Sequence, residues 1–191
     1  MGLKKYKDIL MSFWANGAYR FAFSFVSLYL ILFYFNIFYI GITAPGGFYS
    51  LFLDLHFNYI RGLRRILLET SAYIIRLWDY ELYTTSVRLH VVGRGGIVLV
   101  YSCLGYGIMS VFTAFVISWP GKSILNKAAF LLAGLVLIQS LNVARIISLA
   151  LMGKQFPLYN QLDHHDTFNF IVYCVLLGIG YLWVKTGQGS Q

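Results

Sequence analysis

The sequence predicts an all-α integral membrane protein with four main transmembrane helices, one interfacial amphipathic helix and a short β-hairpin just before Cys103. Three observations lead there. Hydrophobic residues make up 59% of the 191-residue chain and charged residues only 12%, about half the charged share of a soluble domain. A water-soluble globule of this size has too little interior to hide so much apolar side chain. Several stretches approach the roughly 20 apolar residues that a helix needs to cross a bilayer. Three prolines and an aromatic share of 18% speak against a disordered chain. The soluble enzyme classes are excluded on the same grounds. Residues 1–191 read as a single polytopic membrane domain. Its first part, 1–80, holds an anchor span and the interfacial helix, and 84–185 form the part that carries candidate chemistry.

The first span, Phe21 to Ile42, contains no charge. Lys4, Lys5 and Lys7 precede it, as in a signal peptide. The apolar stretch is too long for a signal peptide, and no small-residue cleavage site follows it, so it reads as an uncleaved anchor. Residues 58–80 have helical character but carry Arg61, Arg64, Arg65, Glu69, Arg76 and Asp79. That is too much charge for a free span, and an amphipathic helix lying in the outer interface suits it better. The other reading has 46–80 cross the membrane twice in short segments.

Thr84 to Val92 is rich in β-branched residues, Gly93-Arg94-Gly95-Gly96 signals a turn, and Ile97 to Tyr101 follows. Two such runs about a glycine turn predict a β-hairpin. Because strand edges with unpaired backbone cannot face lipid, it belongs at the outer surface. The second span runs from about Cys103 to Trp119 and stops at Pro120-Gly121. The third, Ala128 to Met152, is interrupted only by Gln139, Asn142 and Arg145, and the fourth is Phe168 to Val184.

The net charge of +8 comes from 15 Lys and Arg against 7 Asp and Glu. In a soluble chain this would suggest nucleic acid. No nucleic-acid-binding motif is present, and basic residues that flank spans orient them instead. The amino-terminal lysines, Lys122 with Lys127, and Lys185 then lie on the cytoplasmic side. Both termini are cytoplasmic in this arrangement, and Cys103, Arg145 and the His164-His165 pair share the outer, periplasmic face of a bacterial inner membrane.

Those residues are the candidates for chemistry. Cys103 sits where a strand gives way to a helix, and the positive end of a helix dipole favours a thiolate. Gly105, two residues on, would let a substrate backbone approach. The plainer reading of Cys103 is a small buried hydrophobe. Cys174 lies mid-span, where low dielectric disfavours a thiolate. Arg145 stands in an apolar helix, a costly place unless it is paired or faces water. Gln139, Asn142 and Arg145 recur at three-residue intervals and so share one side of that helix. A fixed guanidinium there can stabilise a developing oxyanion. Alternatively it pairs with Asp163 or Asp166, or snorkels to the interface. His164 and His165, in the loop entering the fourth span, supply a general acid/base. Asp163-His164-His165-Asp166 could instead hold a metal, although consecutive residues rarely all reach one ion. His56 and His90 read as interfacial or structural.

A nucleophile, an oxyanion-stabilising cation and a base at one face make the minimal set for acyl transfer. Their arrangement resembles the exosortase/archaeosortase family of membrane cysteine transpeptidases. The resemblance rests on Cys103-Leu104-Gly105 after a β-like run, Asn142-Val143-Ala144-Arg145-Ile146 in the next span, and His165-Asp166-Thr167-Phe168-Asn169 beyond it. It covers roughly 84–185. It implies an enzyme that cleaves C-terminal sorting signals of exported proteins. Such a signal is a short motif, a transmembrane helix and a basic tail, and the acyl group passes to an acceptor, lipid or glycan, or to water. Carried over residue by residue, Cys103 is the nucleophile, Arg145 the oxyanion or substrate clamp and His165 the acid/base, with His164 as the alternative because the histidines are tandem. Asn142 and Gly105 support them. Acyl transfer by these residues requires no cofactor, and no metal is expected. Residues 1–80 carry little of the match. Their arginines would grip anionic lipid headgroups or an acidic substrate motif, or else the helix only anchors.

Two readings from other classes make different predictions. In a non-catalytic membrane assembly or transport subunit, Arg145 is structural and Cys103 tolerates serine or alanine. In a metal-dependent membrane hydrolase built on Asp163, His164, His165 and Asp166, activity is chelator-sensitive and survives loss of Cys103.

Overall fold

A computed structural model describes residues 17–44, 46, 48–152 and 164–186. The described elements run, in chain order, α1 (Gly17–Thr43), α2 (Leu51–His56), α3 (Tyr59–Arg76), β1 (Leu82–Thr84), β2 (Arg88–Val91), β3 (Gly95–Val98), a 3-10 turn (Tyr101–Leu104), α4 (Tyr106–Ser118), α5 (Ile124–Met152) and α6 (His164–Lys185). Among the described residues, four helical segments are long and apolar enough to cross a membrane. These are α1, the 3-10 turn continued by α4, α5, and Phe168–Lys185 of α6. The protein is therefore a multi-span membrane protein. The lysines before the first span lie outside the described residues.

The spans differ in how they meet their surroundings. The most apolar stretch of α1 has no fully buried residue; Phe23, Ile31, Tyr34 and Phe38 are all at least half exposed, as befits a helix that is apolar all round and faces lipid. The short α4 is central. It packs on α1 and α5 and buries Tyr106, Ile108, Ser110, Phe112, Ala114 and Val116. The close approach of α4 to α5 depends on Gly134. A Cβ there would stand 2.1 Å from the Phe112 ring, so only glycine leaves the hole that the ring fills.

The two ends of the bundle have different chemistry. At one end Lys122 Nζ donates to the Trp183 carbonyl at 2.7 Å, Lys127 Nζ donates to that of Ile117 at 2.7 Å, and Trp183 Nε1 donates to Asn126 Oδ1 at 2.6 Å. Trp183 also stacks on Phe130 with centroids 4.5 Å apart. At the other end gather the carboxyl end of α1, α2, α3, the sheet, the 3-10 turn and the last third of α5. One apolar core unites all of these but α2, including Ile60, Leu67, Ile75, Leu89, Leu104, Ile146 and Ala150.

Amphipathic α3 forms where the sequence places it. Asn58 caps its start by accepting the Arg61 backbone N–H at 2.8 Å, a contact that satisfies one of the open donors of the first turn. Its apolar stripe, Ile60, Leu67, Leu68, Ala72 and Ile75, is buried against α5 and the sheet. The stripe read as lying on the bilayer interface thus faces protein, because α5 runs beside it and offers a wall there. At 1.5 Å per residue the 29 residues of α5 extend about 44 Å, against a hydrocarbon core of about 30 Å.

The hairpin about the glycine turn is present as β2 and β3, paired antiparallel with Leu89 opposite Ile97 and Val91 opposite Gly95. The single strand expected from Thr84 to Val92 is broken, however. Thr85 Oγ1 accepts the Arg88 N–H at 3.1 Å, a side-chain turn that competes with the strand ladder. The chain folds back there, so β1 pairs with β2 and the sheet has three strands in the order β1-β2-β3. Another boundary also moves. The two histidines expected in a loop belong to α6, which begins at His164 and carries both in its first turn.

Candidate active site

Cys103 lies in the 3-10 turn between β3 and α4. Its backbone N–H donates to the Val100 carbonyl at 3.0 Å. The turn ends at Gly105, which caps it in the left-handed conformation (φ 78°) and starts α4. Two constraints fix glycine here. The positive φ disfavours side chains with a Cβ, and a Cβ would stand 2.7 Å from Asn142 Nδ2. The glycine noted as a place for substrate to approach is thus where the α5 amide closes on the turn.

That amide is part of a short chain. Asn142, buried in α5, donates through Nδ2 to Gln139 Oε1 at 3.1 Å. Gln139 Nε2 reaches the Leu104 carbonyl at 3.3 Å and Met109 Sδ at 3.0 Å. One face of α5 therefore holds the carbonyl beside Cys103. The sequence puts Gln139 on this face, but no sequence signal names its partner, because the turn lies on a different element.

One turn further along α5, Arg145 Nη2 lies 3.7 Å from Cys103 Sγ. Its guanidinium sits over the Phe168 ring at 5.2 Å, within cation–π range. Its Nε is buried without a hydrogen-bond partner among the described residues. The two ion pairs seen among the described residues, Arg61 with Asp54 and Arg65 with Glu69, leave Arg145 out. Arg145 stands about 32 Å along the α5 axis from Ile124 at the helical rise per residue, which matches the far side of a bilayer core.

Phe168 also ties the fourth span to the pair. It lies three residues beyond His165, so the first turn of α6 ends beside Arg145. Of the suggested ion-pair partners and metal ligands, Asp163 lies outside the described residues, as do the side chains of His164, His165 and Asp166. Among the described residues no group of three or more His, Cys, Asp and Glu is placed to hold a metal. His56 and His90 lie elsewhere: His56 stacks on Phe52 at 4.9 Å in α2, and His90 is exposed on β2. Cys174 is exposed on the flank of α6.

One neighbour of the turn was not legible beforehand. Arg64 of α3 lies over the Tyr101 ring at 4.4 Å, so α3 contacts the same turn that carries Cys103. Nothing in the sequence pairs an arginine on one element with a tyrosine on another.

The fold and these contacts define a class: a helical, multi-span membrane protein with a cysteine–arginine pair and an amide relay at one end of its bundle. No protein-family model matches this chain, and no curated protein or solved structure is similar to it. The likeness to exosortases and archaeosortases therefore rests on the motif residues alone.

Proposed function

We propose that this protein is a membrane-embedded cysteine peptidase or transpeptidase that cleaves C-terminal sorting signals of exported proteins at the outer face of the cytoplasmic membrane. The observation that carries the reading is the 3.7 Å approach of Arg145 Nη2 to Cys103 Sγ. These residues come from different helices, and neither is placed by local sequence.

In this reading His165, or His164 in the same helical turn, takes the thiol proton of Cys103, and the sulfur attacks the carbonyl carbon at the cleavage site. A C–S bond forms and the carbonyl π electrons move to oxygen. Arg145, within hydrogen-bonding reach of a group bound at the sulfur, stabilises that oxyanion. Collapse breaks the C–N bond and leaves a thioester on Cys103. The tail departs as an amine, taking its proton from His165, or from His164 in the same helical turn. An acceptor amine, hydroxyl or water then attacks the thioester and gives its proton to the same histidine, which passes it to the departing sulfur as the C–S bond breaks, restoring the thiol. Asn142, Gln139 and Gly105 are positioning residues that hold the turn, and the scheme uses no cofactor.

The test replaces Cys103 by alanine in the cell of origin and measures intact masses of envelope proteins that end in a hydrophobic helix and basic tail. The tails are expected to be retained in Cys103→Ala and removed in the parent and in Cys174→Ala. Equal processing in all three strains sinks the reading and leaves a non-catalytic subunit in its place.

A further inference from the structure

A polar cavity of about 340 Å³ opens beside the 3-10 turn, between the end of α1, the α2–α3 corner and the β1–β2 turn. Its walls include Arg61, Arg64, Asn58, Ser86 and Tyr101. Asp54 is also there, but its charge is already matched. It pairs with Arg61 at 2.5 Å and accepts from Tyr49 Oη at 2.7 Å and Asn58 Nδ2 at 2.6 Å. Arg64 is different. Among the described residues it has no carboxylate partner, and its Nε is buried without a hydrogen bond. The cavity thus presents a guanidinium that stacks on the Tyr101 ring but has no carboxylate partner among the described residues, in a wall that Ser86 shares.

Around this cavity the surface is apolar. Leu51, Phe52, Leu55 and Phe57 are each about 60% exposed, and Phe48 is 92% exposed. Charged side chains amid exposed aromatic and aliphatic ones, at the end of a transmembrane helix, match the boundary between acyl chains and headgroups. The arginines also stand at the end of the bundle opposite Lys122 and Lys127, against the usual distribution of basic residues, so topology alone does not account for them. A guanidinium fork matches phosphate oxygens in shape and charge.

We infer that this cavity is a binding site for the phosphodiester of an anionic phospholipid, held by Arg64 with Arg61, Ser86 and Tyr101 while its acyl chains lie along the apolar rim of α2. The site touches the Cys103 turn through Tyr101, yet the inference stands whether or not the protein is a peptidase. A peptide carboxylate has the same charge, but it would not call for the exposed apolar rim.

The experiment uses the full chain, purified in detergent and delipidated, with native mass spectrometry to titrate phosphatidylglycerol, phosphatidylcholine and inorganic phosphate. Phosphatidylglycerol is expected to bind one per chain and more tightly than phosphatidylcholine. Arg64→Met should weaken it about tenfold, the scale of one charge-assisted fork. Arg65→Met removes an exposed arginine outside the cavity and should leave binding unchanged. Arg61→Met is the second cavity variant, should Arg64→Met not fold, and is also expected to weaken binding. Equal loss in Arg64→Met and Arg65→Met overturns the site in favour of a diffuse basic surface. Inorganic phosphate binding as tightly as the lipid overturns the lipid as occupant. Unchanged lipid binding in both cavity variants, with a raised KM for tail processing, overturns it in favour of a substrate carboxylate.

Discussion

Gly105→Ala separates two contributions that meet at the Cys103 turn. The first is backbone strain. Gly105 has φ 78°, and an L-residue held in that region costs roughly 1–2 kcal/mol. The second is steric. The new Cβ would lie 2.7 Å from Asn142 Nδ2, and Asn142 is buried and held by Gln139. It cannot swing away without loosening the amide chain, and a lost buried hydrogen bond adds roughly 1–3 kcal/mol. The total expected for Gly105→Ala is therefore about 2–5 kcal/mol. In an Asn142→Ala background the collision is gone and only the strain remains, so the same substitution should cost about 1–2 kcal/mol.

Reversible denaturation of the four proteins of this cycle in detergent, followed by tryptophan fluorescence, gives both costs and their coupling. The rate at which a membrane-permeant maleimide modifies Cys103, in a Cys174→Ala background, reports on the turn directly and should rise in Gly105→Ala. A Gly105→Ala variant as stable as the parent would refute the strain argument. An equal cost in both backgrounds would refute the contact with Asn142.

Three further outcomes follow from the same contacts. Arg145→Lys keeps the charge but loses the planar fork over Phe168; tail processing should fall about 100-fold, the scale of one lost oxyanion donor, with little change in folding. Undiminished processing would remove Arg145 from the chemistry. Hydrogen bonds from Tyr49 first, then Asn58, with the Arg61 charge, hold the Asp54 carboxyl below its ordinary value of 3.8. A depressed folded-state value means that the stabilisation is present above the ordinary value and is lost as pH falls through the lower one, so Asp54→Asn should flatten the acid limb of the stability–pH curve, and an unaltered limb would show that Asp54 is not its source. Single cysteines at Phe48, Thr70 and Ile124 in a cysteine-free chain test the orientation: an impermeant thiol reagent added from outside should label the first two and spare the third, and labelling at Ile124 would reverse the proposed sidedness.

What the sequence disclosed, and what it withheld, divides along physical lines. Length and apolarity are properties of contiguous residues, so the four spans and the charged α3 were readable, and the glycine turn of the sheet was readable for the same reason. The break at Thr85 was missed because Thr84-Thr85-Ser86 looks like a strand until a hydroxyl competes for a backbone N–H. The direction of α3's apolar stripe was missed because lipid and protein are equally good partners for leucine. Three-residue spacing put Gln139, Asn142 and Arg145 on one face, but whether that face met Cys103, lipid or another helix depended on how α4 packs on α5. That packing turns on the Phe112 ring in the notch at Gly134, a complementarity between residues of distant sequence position.

The same packing explains how so lightly charged a chain gathers polar groups at one end of its bundle. Because α4 has 13 residues, about 20 Å at the helical rise, it is too short to cross the roughly 30 Å core alone. The 3-10 turn before it supplies some of the missing length, and Cys103 rides on that turn. The much longer α5 has length enough to run past such a core, and its Arg145 meets Cys103 from the opposite chain direction. A longer α4 would carry the cysteine beyond the guanidinium, and a shorter α5 would leave Arg145 with no thiol to face. The mismatch between the two helices sets the level of the pair, and Gly105 allows the chain to change helix type there. Inserting one alanine into α4 at Gly107 tests this directly. It should move Cys103 by about 1.5 Å along the axis and about 100° around it, away from Arg145. Tail processing should fall steeply while the four spans still insert, and processing at the parental rate would show that the pair is not what the helix lengths are arranged to produce.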